Sequence, residues 1–270
     1  MTSAALTKHD LSILEKIKDP EAGPSAPLLI SDALPRDPHV TDDSSYQKVT
    51  ERERAIISSI QEIEFSIVGL KLAGPGSSPL SEYLECVQSL DALVEDYPRY
   101  ASARNNRAQA LRRIYGDGIL VDSSESLREE AAALDPQASG ASVIVASTTI
   151  LTDLSTAITL LTPTSPFSVI STQAAKTLSQ AYTQRGALYH LTAKRLAAKE
   201  AVLRIDESRK EAMWTVVDFE ENASRDFMMG GRYGNEIAKA LAVSSNPTAK
   251  LCGEIVREAM RKEYAGGNGV

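Results

Sequence analysis

From Glu51 onward, proline and glycine breaks cut the chain into stretches too long for strands. Within each stretch the apolar residues recur in steps of three and four. That period matches the turn of an α-helix and not the two-residue alternation of a strand. In Glu51 to Ala73 the stripe is Ile56, Ile60, Ile63, Ile67 and Leu70, and Gly74-Pro75-Gly76 ends it. Ser78 is placed to cap the next helix, with Pro79 at its first position. Leu80 to Glu95 then carries Leu80, Leu84, Val87, Leu90 and Val94. Two such helices joined by a short turn bury their stripes against each other as an antiparallel hairpin. Aromatics are only 5% of the chain while Ala and Leu abound, a bias toward helix over sheet. An all-α fold is expected.

A second hairpin begins at Tyr100, with Ala101 to Tyr115 as its first helix. Its return is delayed by an acidic, irregular stretch from Gly116 to Gly140, with room for a short helix at Leu127 to Leu134. The return helix is Thr148 to Leu161, with Ile150, Leu151, Leu154, Ile158 and Leu161 on its stripe. Val143 to Ile150 also reads as a strand through its β-branched residues, but a lone strand would have no partner. The third hairpin opens with Thr172 to about Arg204, uninterrupted except by Gly186. Lys194 to Glu211 is charge-rich and expected in solvent. Glu211 to Met229 carries Met213, Trp214, Val217 and Phe227, and Gly230-Gly231 is expected to end it. Asn235 to Val243 and Thr248 to Tyr264 follow, the latter started by Asn246-Pro247.

Upstream, Thr7 to Ile17 is a short amphipathic helix by its Leu11, Leu14 and Ile17. The five prolines between Pro20 and Pro38 mark the residues up to Thr50 as a disordered linker. The expected organisation is a mobile segment 1–50, a helical-repeat domain 51–264 and a flexible tail 265–270. Insertions fall near 117–146 and 191–210.

Three hairpins invite a search for a repeat. The tetratricopeptide pattern asks for a small residue within the first helix, a spaced set on the second and a closing proline. Gly69 with Cys86, Leu90, Leu93 and Pro98 meets it in hairpin one, and Ala108 is the small residue of hairpin two. Gly186 with Thr215, Phe219 and Asn222 meets it in hairpin three. Along its whole length the chain resembles the tetratricopeptide repeat protein 36 family. The resemblance rests on Asp10 to Pro20, on Ala101 to Leu111 with its core Asn105-Asn106-Arg107-Ala108-Gln109, and on Tyr182 to Gly186 with Asp218-Phe219-Glu220. Asn246 to Cys252 is its most specific part. It implies a tetratricopeptide-repeat helical-hairpin solenoid of about three hairpins plus a C-terminal helix. It also implies a link to tyrosine catabolism and insertions in all three hairpins.

In that repeat class, residues two, five, six and nine of each first helix face a concave groove. They are Ser102, Asn105, Asn106 and Gln109 in hairpin two, and Gln180, Thr183, Gln184 and Ala187 in hairpin three. Hairpin one supplies Ile63, Ser66, Ile67 and Leu70. The peptide-groove candidates are the polar ones: Ser102, Asn105, Asn106, Gln109, Gln180, Thr183 and Gln184. Arg107 and Arg185 point away from the groove and are expected to tie helices together. Domains of this class that bind the acidic tails of chaperones use a clamp of Lys, Asn, Asn, Lys and Arg. Those places hold Ser66, Leu70, Asn106, Gln180 and Gln184, so the clamp has no cation and tail binding of that kind is not expected.

Composition excludes other classes. A net charge of −7 argues against nucleic acid. The longest apolar run, Val143 to Leu151, falls short of the roughly 20 residues that span a membrane. Cys86 and Cys252 sit at apolar helical positions and are expected as buried free thiols. The three histidines are His9, His39 and His190; the first two lie in the expected mobile segment. No nucleophile elbow, zinc spacing or phosphate loop is present. A non-enzymatic protein without a cofactor is expected in the cytosol or nucleus. It would bind a protein or extended peptide in a helical groove, as an adaptor, co-chaperone-like scaffold or stabiliser of a metabolic enzyme. A self-associating oligomer is the rival reading.

Overall fold

The apolar stripes become helices in the computed structural model, which describes residues 28–70, 78–123, 133–165, 168–199 and 201–266. The helices are α1 (Asp43–Ile67), α2 (Pro79–Asp96), α3 (Ala101–Tyr115), α4 (Gly140–Leu161), α5 (Thr172–Ala197), α6 (Val216–Arg232), α7 (Glu236–Ser245) and α8 (Pro247–Gly266). Ser78 and Thr215 each close a capping box, at α2 and α6, satisfying amide groups the first turn leaves open. The expected helix at Thr7 to Ile17 lies outside the described residues, as does all of the one expected at Leu127 to Leu134 except Ala133 and Leu134, which are not helical.

Helices adjacent in sequence pack against each other from α1 to α8, and α3 also touches α5. The first helices of hairpins two and three are therefore neighbours. Leu90, Ile114, Ile150, Leu154, Leu178, Phe219 and Phe227 form one continuous core between them. Tyr189, Trp214 and Phe219 meet edge to face within it. Helix α4 has the length and apolarity of a membrane-crossing helix, but half of its most apolar stretch is buried. Asp153 lies fully buried at its middle beside Leu151 and Leu154, which identifies it as the core helix of the stack.

That buried Asp153 shows how the hairpins are tied. Arg107 on α3 grips it through Nε at 2.6 Å and a second nitrogen at 2.8 Å, and Arg104 adds a bond at 2.9 Å. In hairpin three, Arg185 on α5 holds Asp226 on α6 in the same bidentate way, at 2.7 and 2.8 Å. Each arginine directly precedes the small residue at the helix crossing. Ala108 is fully buried. Gly186 lies so close to α6 that a methyl group there would stand 3.1 Å from the Phe227 ring. The small residue lets the helices approach, and the arginine before it reaches the acid of the return helix.

Several boundaries differ from the sequence reading, each for a physical reason. Helix α1 starts at Asp43, eight residues early, because Asp42 accepts from the Ser45 amide as its cap. It also ends at Ile67, so Gly69 lies in the turn after it with φ +74° and is not a crossing residue. Helix α4 begins at Gly140, capped by Ser139, which turns the candidate strand Val143 to Ile150 into helix. Gly230 and Gly231 do not end α6. They sit within it, where a methyl group on Gly231 would meet the α7 backbone at Lys239 at 2.8 Å. Lys194 to Glu211 is not one solvated helix. After α5 ends, β1 (Val121–Ser123) and β2 (Ala201–Leu203) pair antiparallel, so the two insertions meet each other. A 3-10 turn, Lys210–Met213, then buries Glu211 under Tyr189 and Arg209.

The expected linker is also structured where it is described. Ser31 and Ile170 share a backbone hydrogen bond in a short parallel bridge, and the Ser171 hydroxyl donates to the Arg36 carbonyl at 3.0 Å. His39 is not mobile; its Nε2 lies 2.9 Å from the Leu160 carbonyl. The residues around Pro35 and Pro38 bond outward to other elements, which a composition-based reading of disorder cannot anticipate.

Removing one member of a buried ion pair strands the other, at a cost of roughly 3–5 kcal/mol. Asp153→Ala is expected to lose about that much stability in urea unfolding. Arg52→Ala, which breaks the exposed pair with Asp96, should cost less than about 1 kcal/mol.

Candidate functional site

The first helices of the three hairpins, α1, α3 and α5, share one open groove of about 1010 Å³. From α1 come Ile57, Ile60, Gln61 and Glu64; from α3, Asn106, Gln109, Ala110, Arg112 and Arg113; from α5, Gln180, Thr183 and Gln184. A second hollow of about 610 Å³ continues it past Ile57 and Gln61 toward Tyr46, Tyr100 and Thr172. The groove exists because α3 and α5 turn their Arg–Asp faces toward α4 and α6 and leave the opposite faces uncovered.

Five of the seven candidates from the sequence line this groove: Asn106, Gln109, Gln180, Thr183 and Gln184. Asn105 does not. It is buried between α3 and α5, where its carbonyl oxygen accepts from Gln184 Nε2 at 2.8 Å and its amide donates toward Gln180 Oε1 at 3.4 Å. Ser102 is half-buried and turns its hydroxyl to Glu53. Thr183 donates to the Ser179 carbonyl and accepts from Asn235. Gln109 and Gln180 are the exposed members. The amide set is thus partly a cross-tie between helices and partly a surface offered to solvent.

Hairpin one needs a correction. Ile63 is buried, the Ser66 hydroxyl donates to the Ile63 carbonyl, and Leu70 lies beyond the helix end. The groove residues are Ile57, Ile60, Gln61 and Glu64 instead, six positions earlier with the same spacing. Gln61, Asn106 and Gln184 therefore occupy matching places on the three helices. Mistaking Gly69 for the crossing residue caused the slip, since everything on a helix face moves with its register.

The groove is also not the neutral wall expected from its amides. Arg113 binds Glu64 across to α1 at 2.7 Å, and the Tyr83 hydroxyl donates to the same carboxylate at 2.5 Å. Burial pushes Glu64 up, but Arg113 and Tyr83 outweigh it and hold the carboxyl below its ordinary range. Arg112 bonds Asp117 through Nε at 2.9 Å and reaches across to Gln184 Oε1 at 3.1 Å. In sequence, Arg112-Arg113 reads only as a basic last turn facing a helix C-terminus. Of the acids that draw the two side chains apart, Glu64 comes from α1 and Asp117 from the turn just past α3.

At the α1 end, Glu53 is buried and accepts from Tyr100 at 2.6 Å and from Asn106 at 2.7 Å. Burial pushes its pKa up against these donors, and nearby Asp37 adds to the rise. Asp37 is itself buried and raised by that burial, while the amides of His39, Val40 and Ala101 pull it down. Its bond to the Ala101 amide supplies the cap that Tyr100 cannot, since no side chain caps α3 locally.

Other candidate chemistry is absent from this face. Among the described residues no cluster of His, Cys, Asp and Glu could hold a metal ion. His190 is half-buried against Phe227, and burial followed by the Lys250 charge lowers its pKa. Cys86 is buried as expected, but Cys252 is exposed, because α8 touches α6 and α7 only lightly.

Over 269 residues the chain is 36% identical to the L-tyrosine degradation gene cluster protein hmgX of Aspergillus fumigatus, covering 97% of this chain and 94% of that protein. The chain belongs to the hmgX family. This corrects the likeness to the tetratricopeptide repeat protein 36 family: the hmgX relative is not named as a repeat protein, and no family model matches the chain. The Arg–small step with its acid partner recurs only in hairpins two and three, so a three-fold repeat in register is not what hairpin one contains. No solved structure matches the chain. The name of that relative places it in tyrosine degradation, the metabolism that the earlier likeness also implied.

The raised carboxyls of Glu53 and Asp37 set a direction for pH. A folded state that holds a proton more tightly than the unfolded chain is favoured as pH falls into the window between the two values. The wild type should therefore gain stability relative to Glu53→Gln as pH is lowered from 7 toward the ordinary carboxylate range near 4. Urea unfolding at several pH values checks this, and a difference that stays constant with pH would contradict it.

Proposed function

We propose that this protein is a non-catalytic binding partner of an enzyme in L-tyrosine degradation. On this reading, the three hairpins form an open, solenoid-like stack that holds a segment of that enzyme in the groove between α1, α3 and α5. The observation that carries the reading is the groove itself. It is lined by apolar Ile57 and Ile60 and by amides whose exposed members, Gln109 and Gln180, face outward. Amides of this kind pair with both the N–H and the C=O groups of an extended backbone, as in peptide-recognition grooves. The hmgX name supplies the metabolic context. The cytosol is the compartment that suits such a role.

Groove binding is best tested without disturbing Asn105, Asn106 or Gln184, which hold helices together. A double variant, Gln109→Arg with Gln180→Arg, fills the groove from two exposed sites. Purified enzymes of L-tyrosine degradation should be tested one by one for retention on the immobilised protein. The wild type is expected to retain at least one of them and the double variant to lose it. Equal retention by both proteins would remove the groove from the proposal, and retention of none would remove the enzyme partner.

A further inference from the structure

Arg112 is the groove cation whose acid partner is most open to solvent. Its own side chain is 15% exposed, whereas that of Asp117 is 50% exposed. The pair spans only five residues, around the Gly116 turn with φ +85°. The acid is the half of the pair that solvent reaches, so it is the half that another carboxylate can replace. Arg113 differs, because its acid Glu64 is also held by Tyr83 and links two helices. The Arg112 guanidinium is further aimed into the groove by Gln184, which accepts from it on α5 and is itself anchored on Asn105. Asp117 meets this guanidinium through Oδ1, at 2.9 Å from Nε and 2.8 Å from a terminal nitrogen. A guanidinium braced by Gln184 and paired with a half-exposed acid is thus preorganised for an incoming carboxylate that can engage both nitrogens with its two oxygens.

We propose that Arg112 is a carboxylate-binding site, at which an acidic side chain or chain terminus of the bound segment displaces Asp117. Asp117 then acts as an internal competitor that occupies the cation when the groove is empty. The inference rests on the groove reading above and adds to it the chemistry of the ligand. It also places the cation elsewhere than the positions of the chaperone-tail clamp, which hold Ser66, Leu70, Asn106, Gln180 and Gln184. The net charge of −7 disfavours nonspecific capture of acidic peptides, so preference for one would report a local site.

The test uses the full chain and three octapeptides of one Ser- and Leu-containing sequence, each with a central benzophenone. One carries an internal Glu and an amidated end, one has a free terminal carboxylate and no Glu, and one is neutral. Photocapture yield and the crosslinked residues are read by mass spectrometry. The wild type is expected to capture at least one carboxylate peptide roughly fivefold better than the neutral one, as a charge-assisted bond would give. Which of the two is favoured separates a side chain from a chain end. Arg112→Gln should bring all three to the neutral yield. Asp117→Asn, which frees Arg112, should raise capture of the carboxylate peptide several-fold and leave the neutral one unchanged. Circular dichroism confirms that both variants fold. Equal capture of all three peptides within the groove would overturn the carboxylate site and leave the groove reading standing. No crosslink on α1, α3 or α5 would overturn both. A fall in capture on Asp117→Asn would show that Asp117 supports binding and does not compete for it.

Discussion

The architecture depends on a buried acid held by an arginine one residue before a helix crossing. Arg107 with Asp153 and Arg185 with Asp226 repeat this arrangement in hairpins two and three. A charge taken out of water is tolerated only when paired and hydrogen-bonded, so each pair admits one relative placement of its two helices. Burial pushes Asp226 up, and the bidentate grip of Arg185 pulls it back. The ties define which faces of α3 and α5 turn toward α4 and α6. They thereby define which faces remain free, and the groove is what remains.

The proposed binding role follows from that division of faces. On the tied side, small residues and aromatics fill the core. On the free side, amides at matching places on α1, α3 and α5 line a hollow that continues into a second one past Ile57 and Gln61. The N-terminal residues near Asp37 close one end of this arrangement by capping α3 and by bonding to the start of α5. Local helix signals, helix-to-helix ties and the open groove are thus successive consequences of the same spacing.

Much of this was legible in the sequence. The stripes Leu80 to Val94 and Ile150 to Leu161 gave the helices, because helical period is a local property. Arg107 and Arg185 were readable as ties, since they follow groove positions directly. Five of the seven groove candidates line the hollow between α1, α3 and α5. What was not legible depends on contacts between distant residues. Gly69, read as a crossing residue within a helix, lies in the turn after α1, and Gly231, read as a helix end, lies inside α6 against Lys239. The β1–β2 pairing joins two insertions 80 residues apart at the register Val121 to Leu203 and Ser123 to Ala201, and neither strand has a signal of its own. Glu53 and Glu64 acquire their roles only from partners on other segments. The family resemblance rested on four short stretches from Asp10 to Cys252, and the whole-length identity of 36% to the hmgX relative overrides them.

The central claim is that the groove formed by α1, α3 and α5 is the working surface. Hydrogen–deuterium exchange measured with and without an L-tyrosine-degradation enzyme that the protein retains tests it most directly. The account predicts slower exchange in the last turns of α1 and α3 and along the first half of α5, with α4 and α6 unchanged. Protection confined to α4, α6 or the β1–β2 ribbon, with the groove helices unaltered, would contradict it.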